Sequence, residues 1–139
     1  MFIVNLKYLK LSKYFSRIKS IYNSLPKKQK RFVSPSGRFV DSPKTVVRVI
    51  YSNDEGFAEI YELNPREGFL IMAVKPEFQG KGLGKRLLIR ALEPAKKKKL
   101  KTVIYEADRV NHPSIKFAKR YIGKPDEIGE ESIIWKIKI

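Results

Sequence analysis

The chain has no cysteine and a single histidine, His112. The first absence excludes a disulfide framework, a thiolate metal site and a cysteine nucleophile. The second, with no His/carboxylate cluster around it, leaves a catalytic metal without enough ligands. Long apolar runs are missing as well. Nothing approaches the roughly 18 residues that cross a bilayer, and residues 1–11, though apolar and basic, lack the uninterrupted core and cleavage site of a signal peptide. No membrane span and a cytoplasmic location are expected. Acidic residues are few: 14 against 30 Lys and Arg, for a net charge of +16, and residues 1–40 hold ten cations and no acid. That balance bears on partners and solubility rather than on fold. It suits a polyanion such as DNA, RNA or an acidic protein face, although a solvated surface in a lysine-rich proteome produces the same count.

What is present is enough for one domain. The 139 residues, 42% hydrophobic, can bury a core of their own. Alternation predicts a first strand over Phe2–Tyr8. Ser12 can cap a helix whose apolar positions, Leu11, Tyr14, Phe15, Ile18, Ile21, Tyr22 and Leu25, recur three and four apart until Pro26 stops it. Lys27–Arg31 is a compact basic cluster, read as a short second helix and as the best place for a polyanion contact outside any active site. Three strands follow: the β-branched Thr45–Tyr51, then Phe57–Leu63 and Phe69–Val74, separated by the turn-forming stretches 52–56 and 64–68. Loop length and turn chemistry make these antiparallel hairpins. A helix with Leu83, Leu87, Leu88, Ala91, Leu92 and Ala95 on one face comes next, and Pro94 is expected to end or bend it. Strand Thr102–Ala107, a helix from Asn111-His112-Pro113 to about Tyr121, and a closing strand Ser132–Ile139 complete the order β-α-α-β-β-β-α-β-α-β.

Between the third of those strands and the long helix stands Val74-Lys75-Pro76-Glu77-Phe78-Gln79-Gly80-Lys81-Gly82-Leu83-Gly84. A strand breaking into a Gly-rich loop that opens a helix is an anion cradle. Loop amides and the helix N-terminus direct partial positive charge at one point, and glycine lets backbone come close to a phosphate. The dinucleotide fingerprint is excluded because its third Gly stands one residue later, and the P-loop because Gly84 is followed by Lys85-Arg86 with no hydroxyl for a metal. The segment resembles the Gln/Arg-x-x-Gly-x-Gly/Ala signature of the GNAT-type N-acyltransferases, with the Val-x-Pro lead-in, and the resemblance extends over residues 45–121. A helix that merely starts at a Gly-rich turn is the plainer alternative.

The resemblance implies a single α+β domain over residues 1–139. It would hold a mixed, mostly antiparallel twisted sheet with helices on both faces, a basic N-terminal β-α part (1–44) and a cofactor-binding part (45–139). It further implies acyl-CoA-dependent acetyl transfer to a primary amine, with acetyl-CoA as donor. Gln79, Gly80, Lys81, Gly82, Leu83, Gly84 and Lys85 would hold the diphosphate, and the backbone of Met72 and Val74 the pantetheine arm. The Val74 N–H would be the oxyanion donor. Asn111, Ser114 and Phe117 match the family's later Asn-x-x-Ala/Ser-x-x-Phe/Leu-Tyr pattern, which gives Asn111 and Ser114 a cofactor role; a capping role explains Asn111 equally. The tyrosine that protonates the departing thiolate is replaced by Ala118, leaving Tyr121, one turn on, as the candidate acid, with solvent as the alternative proton source. A general base near the acceptor is needed. Glu62 is chosen, with Glu59 (opposite face of the same strand), Asp108 and His112 as rivals. Net charge favours a macromolecular acceptor. Two other functions stay open: a nucleic-acid-modifying enzyme on this fold, and a non-catalytic module that binds nucleic acid or protein.

Overall fold

A computed structural model of the chain describes residues 2–4, 12–34 and 39–139. Its centre is a sheet of seven strands among the described residues, in the order β1-β2-β3-β4-β5-β7-β6. The strands are β1 (Phe2–Val4), β2 (Thr45–Ile50), β3 (Gly56–Asn64), β4 (Glu67–Val74), β5 (Thr102–Asp108), β6 (Glu127–Ile128) and β7 (Ser132–Lys138). The helices are α1 (Ser12–Asn23), α2 (Lys27–Val33), α3 (Leu83–Lys97) and α4 (His112–Tyr121). Every adjacent pair of strands is antiparallel except β4 and β5, which run parallel because α3 forms the crossover between them.

Two-residue alternation sends the side chains of β2–β4 into two separate cores. Val47, Val49, Ala58, Ile60 and Leu70 meet Leu87, Leu88, Ala91 and Ala95 of α3 and Ala118 of α4, with Trp135 beneath them. On the opposite face Ile50 and Phe57 meet Ile18, Ile21, Tyr22 and Leu25 of the α1 segment, closed by Phe39, whose ring stacks on Tyr22 at 4.5 Å. Helices therefore cover both faces. Arg17 of α1 reaches across to Asp54 at 2.6 Å, fastening the helix to the β2–β3 turn.

Expected and observed elements differ in a few places. The predicted first strand is seen over Phe2–Val4, and its continuation to Tyr8, with Leu11 of the following helix, lies outside the described residues. Pro94 neither ends α3 nor stands at its boundary. The helix runs on to Lys97, since Ala95 is fully buried and the Pro94 carbonyl still accepts from the Lys98 N–H at 3.1 Å. One proline in a last turn costs a single donor, and core packing outweighs that loss. Strand β6 has two exposed residues and no counterpart in the sequence reading.

Candidate functional site

Strands β4 and β5 begin side by side and then part. Their register runs Glu67↔Thr102, Gly68↔Val103, Phe69↔Ile104 and Leu70↔Tyr105, and no further pair forms among the described residues. Beyond it, Ile71–Val74 keeps its partner β3, and Glu106–Asp108 keeps its partner β7. A wedge thus opens in the sheet, bordered by two strand edges. The Lys75 N–H donates to the Glu55 carbonyl on the β3 side at 2.9 Å. Successive peptide groups point to opposite edges, so the N–H groups of Val74 and Met72 face the wedge. Their side chains instead enter the core beneath α3.

The glycine loop closes the broad end of the wedge. Pro76–Phe78 forms one 3-10 turn, after which the backbone extends through Gln79. The Gln79 amide nitrogen donates to the Val74 carbonyl at 2.9 Å, tying the loop back to the strand it leaves. Gly80 and Gly82 have φ of 78° and 81°, and a Cβ added to either would find no atom within 4 Å. Those two glycines therefore serve a left-handed turn whose outer side is free, which is what a bound phosphate requires. Gly84 has a different reason to be small: a Cβ there would lie 3.1 Å from Cε2 of Phe117, so it permits the close approach of α3 and α4. Helix α3 starts at Leu83 with Gly82 as an N-cap that offers no side chain. Its first amides thus lack an intrahelical partner and are aimed at the loop. Lys81 and Lys85 stand exposed around them, Lys81 over the Phe78 ring and Lys85 over the Tyr121 ring.

Asn111 and Ser114 are brought together at the start of α4. Asn111 donates to the Ser114 hydroxyl at 2.9 Å and accepts from the Ser114 N–H at 3.4 Å, so Asn111 caps the helix with Ser114 as its partner. The Ser114 hydroxyl in turn bonds to Tyr105, whose own pKa is raised by burial, with the Ser114 bond opposing. Tyr105 belongs to the last pair before the wedge, and the cap is thereby anchored at its apex. Tyr121 is half-buried, its ring 5.1 Å from Phe117 and flanked by Lys85 and Arg120. It stands next to the first turn of α3.

Glu62 is not brought to this place. It pairs with Gly68 at the far end of β4, six residues from Val74, or about 20 Å along the strand. Glu59 is buried and committed: its Oε2 accepts from Arg48 Nε at 2.7 Å, and Arg48 Nη2 donates to Asp41 at 2.6 Å. Burial pushes the Glu59 carboxyl above its ordinary range, and Arg48 opposes the shift. His112 lies on the exposed outer side of α4. Asp108 stands exposed at the end of the β5 edge, its carboxylate accepting from the Val110 N–H. Glu106, which the sequence reading passed over, is exposed on the same edge and face. Its only signal in sequence is its two-residue spacing from Asp108, and the parting of β4 from β5 gives that spacing its meaning. Lys27–Arg31 also gains a neighbour: α2 reaches the loop, where Gln79 donates to Gln29 at 3.3 Å, so the basic cluster stands beside this site rather than away from it.

Comparisons with known proteins agree with this fold. A family model described as the acetyltransferase (GNAT) family matches residues 21–123. Among solved structures, the GNAT domain of PAT from S. lividans superposes with a TM-score of 0.77 at 12% identity, covering 92% of this chain and 86% of that one. The ribosomal-protein-S18-alanine N-acetyltransferase from Escherichia coli gives 0.63 at 20% identity, with 99% and 94% covered. The PaiA N-acetyltransferase from Thermoplasma acidophilum, in complex with coenzyme A, gives 0.59 at 23% identity, with 67% and 59% covered. No curated protein sequence matches the chain. The family match spans most of the sequence, and on it the chain belongs to the GNAT acetyltransferases.

Proposed function

We propose that the protein is an acyl-CoA-dependent N-acyltransferase moving acetyl from acetyl-CoA to a primary amine of a protein or other macromolecule by direct attack. The observation that carries this reading is the wedge itself: two strand edges, unpaired among the described residues, leading to a loop with open space over Gly80 and Gly82. The loop from Gln79 to Lys85 would hold the diphosphate, and the exposed edge of Met72 and Val74 would pair with the pantetheine amides. The Val74 N–H would donate to the carbonyl oxygen as it gains charge. The amine nitrogen would attack the thioester carbon as the C–S bond breaks; the thiolate would take a proton from Tyr121, and the second proton, shed by the acylated nitrogen, would pass through solvent to restore Tyr121. A base must first remove a proton from the ammonium. Glu106 or Asp108, through water, suits that task by position where Glu62 does not. Asn111 and Ser114 would hold the adjacent helix in place for the carrier.

Residues 1–139 then act as one acyltransferase unit in the cytoplasm; no helix among the described residues is long and apolar enough to cross a membrane. A macromolecular acceptor is favoured because a net charge of +16 repels small free polycations, and one structural neighbour is named for a ribosomal-protein acceptor. The exposed Lys27, Lys28 and Arg31 of α2 would meet acidic groups of that acceptor or its assembly. Acetyl-CoA titration by calorimetry tests the donor site, and absence of binding at millimolar ligand would refute the enzymatic reading. Mass spectrometry of a cell extract incubated with labelled acetyl-CoA identifies the acceptor. Loss of at least tenfold in kcat for Glu106→Gln or Asp108→Asn, with acetyl-CoA affinity kept, would assign the base.

One observation favours a second reading. Ala118 stands where the family has its tyrosine, and it is fully buried. If the coenzyme binds and no acetylated product accumulates with any amine, a non-catalytic module that still binds the coenzyme remains.

A further inference from the structure

Charge on this molecule is sorted by layer. Helices α3 and α4 lie side by side on one face of the sheet, and their solvent side carries Arg90, Lys96 and Lys97 on α3 and Lys116 and Lys119 on α4, all exposed. The two helices contain one acid, Glu93, so thirteen of the chain's 14 acidic residues lie elsewhere. Among the described residues only Arg90 approaches an acid across this surface, Glu93 at 3.9 Å. The lysines have no ion pair there. Shallow grooves of about 500 Å³ follow both helices, one lined by His112, Lys116 and Lys119 of α4, the other by Arg86, Arg90 and Glu93 on the flank of α3 beside Tyr51.

From this arrangement we infer that the outer surface of α3 and α4 is a docking face for the sugar–phosphate backbone of a nucleic-acid duplex. Fifteen residues of α3 extend about 22 Å and the ten of α4 about 15 Å. The cations are therefore spread over the length of a duplex segment, whose charges recur every ~1.7 Å. Long flexible lysines without partners are suited to backbone phosphates and carry no base-reading geometry. An anionic membrane fits less well, since a lipid surface rewards apolar side chains that enter it and the face offers only Ile89 as a large exposed apolar residue. The site proposed for acetyl transfer opens along the edges of β4 and β5, so a duplex on the helices leaves it accessible. The inference does not depend on that activity.

The test compares two charge-matched triple variants of the full chain in binding a 20-base-pair duplex across a salt series. Lys96→Gln/Lys116→Gln/Lys119→Gln removes three cations from the face; Lys44→Gln/Lys101→Gln/Lys138→Gln removes three exposed cations from elsewhere. Neither set belongs to the candidate acetyl-transfer site. The face variant is expected to lose about tenfold or more in affinity and to lower the salt slope by about 2 to 3, against less than threefold for the control. Equal losses in the two variants would overturn the assignment, as would a parent that fails to bind at 0.1 M salt. A face-dependent association with phosphatidylserine vesicles in place of the duplex would overturn it too. Lysine reactivity of the unmodified protein gives a readout independent of variant folding. Duplex should shield Lys96, Lys116 and Lys119 and leave Lys44, Lys101 and Lys138 reactive; uniform shielding of all six refutes the docking face.

Discussion

Substituting Gly82 by Asp separates coenzyme binding from folding. Its φ of 81° costs an ordinary L-residue about 1–2 kcal/mol, and aspartate is among the residues that visit this region most readily. A carboxylate at the start of α3 returns about 0.3–1 kcal/mol through the helix dipole, and nothing within 4 Å obstructs the new Cβ. The net loss of stability should be about 1 kcal/mol, a fall in Tm of roughly 3–4 °C for a chain of this length. For the ligand the same change is severe. A negative charge about 4 Å from a phosphate is repelled by about 4 kcal/mol at an effective dielectric near 20. Solvent at this open loop reduces that to about 2–4 kcal/mol, or roughly 30- to 1,000-fold in Kd. Calorimetry with coenzyme A, paired with thermal melts, measures both quantities. Gly82→Asn keeps the shape without the charge and should recover most of the affinity. Parent-like binding by Gly82→Asp would show that the diphosphate does not rest on this turn.

Gly84→Leu should behave in the opposite manner. The added side chain meets Phe117, and overpacking costs about 1–3 kcal/mol, visible as a lower urea midpoint. Arg48→Met leaves the buried Glu59 carboxylate without its cation and should destabilise by about 3–5 kcal/mol, whereas adding Glu59→Leu should restore most of the loss; a single variant within about 1 kcal/mol of the parent contradicts that account. Trp135→Phe removes the indole N–H that donates to the Gly123 carbonyl at 2.9 Å and leaves a void, so about 1–3 kcal/mol should be lost in chemical denaturation. Tyr105→Phe detaches Ser114 from the apex of the wedge; acetyl-CoA affinity should fall severalfold while the melting temperature changes little.

Much of this architecture can be read from local chemistry. The β-branched run Thr45–Ile50 and the turns around Gly56 and Gly68 announce the antiparallel meander, and the apolar stripe from Leu83 to Ala95 announces the helix that follows. Pro94 misleads because its local cost is small beside the burial of Ala95. The two-residue β6 has too little pattern to register. Likewise Gly80, Gly82 and Gly84 look equivalent as letters, and only the proximity of Phe117 separates the third from the first two. The Asp41–Arg48–Glu59 network could not be inferred, because Arg48 and Glu59 become neighbours only through the register of β2 on β3. For the same reason Glu62 was a reasonable base on paper. Its strand and face were legible, but not its end of the sheet.

The seam between β4 and β5 consists of four residue pairs, while each of those strands is zipped along its full length to its other neighbour. Within the sheet the two halves meet at that short seam, and the core beneath α3 bridges them from one face. A carrier lying along both free margins would act as a splint, and its grip should slow amide exchange at Leu70 and Tyr105, well away from any reacting atom.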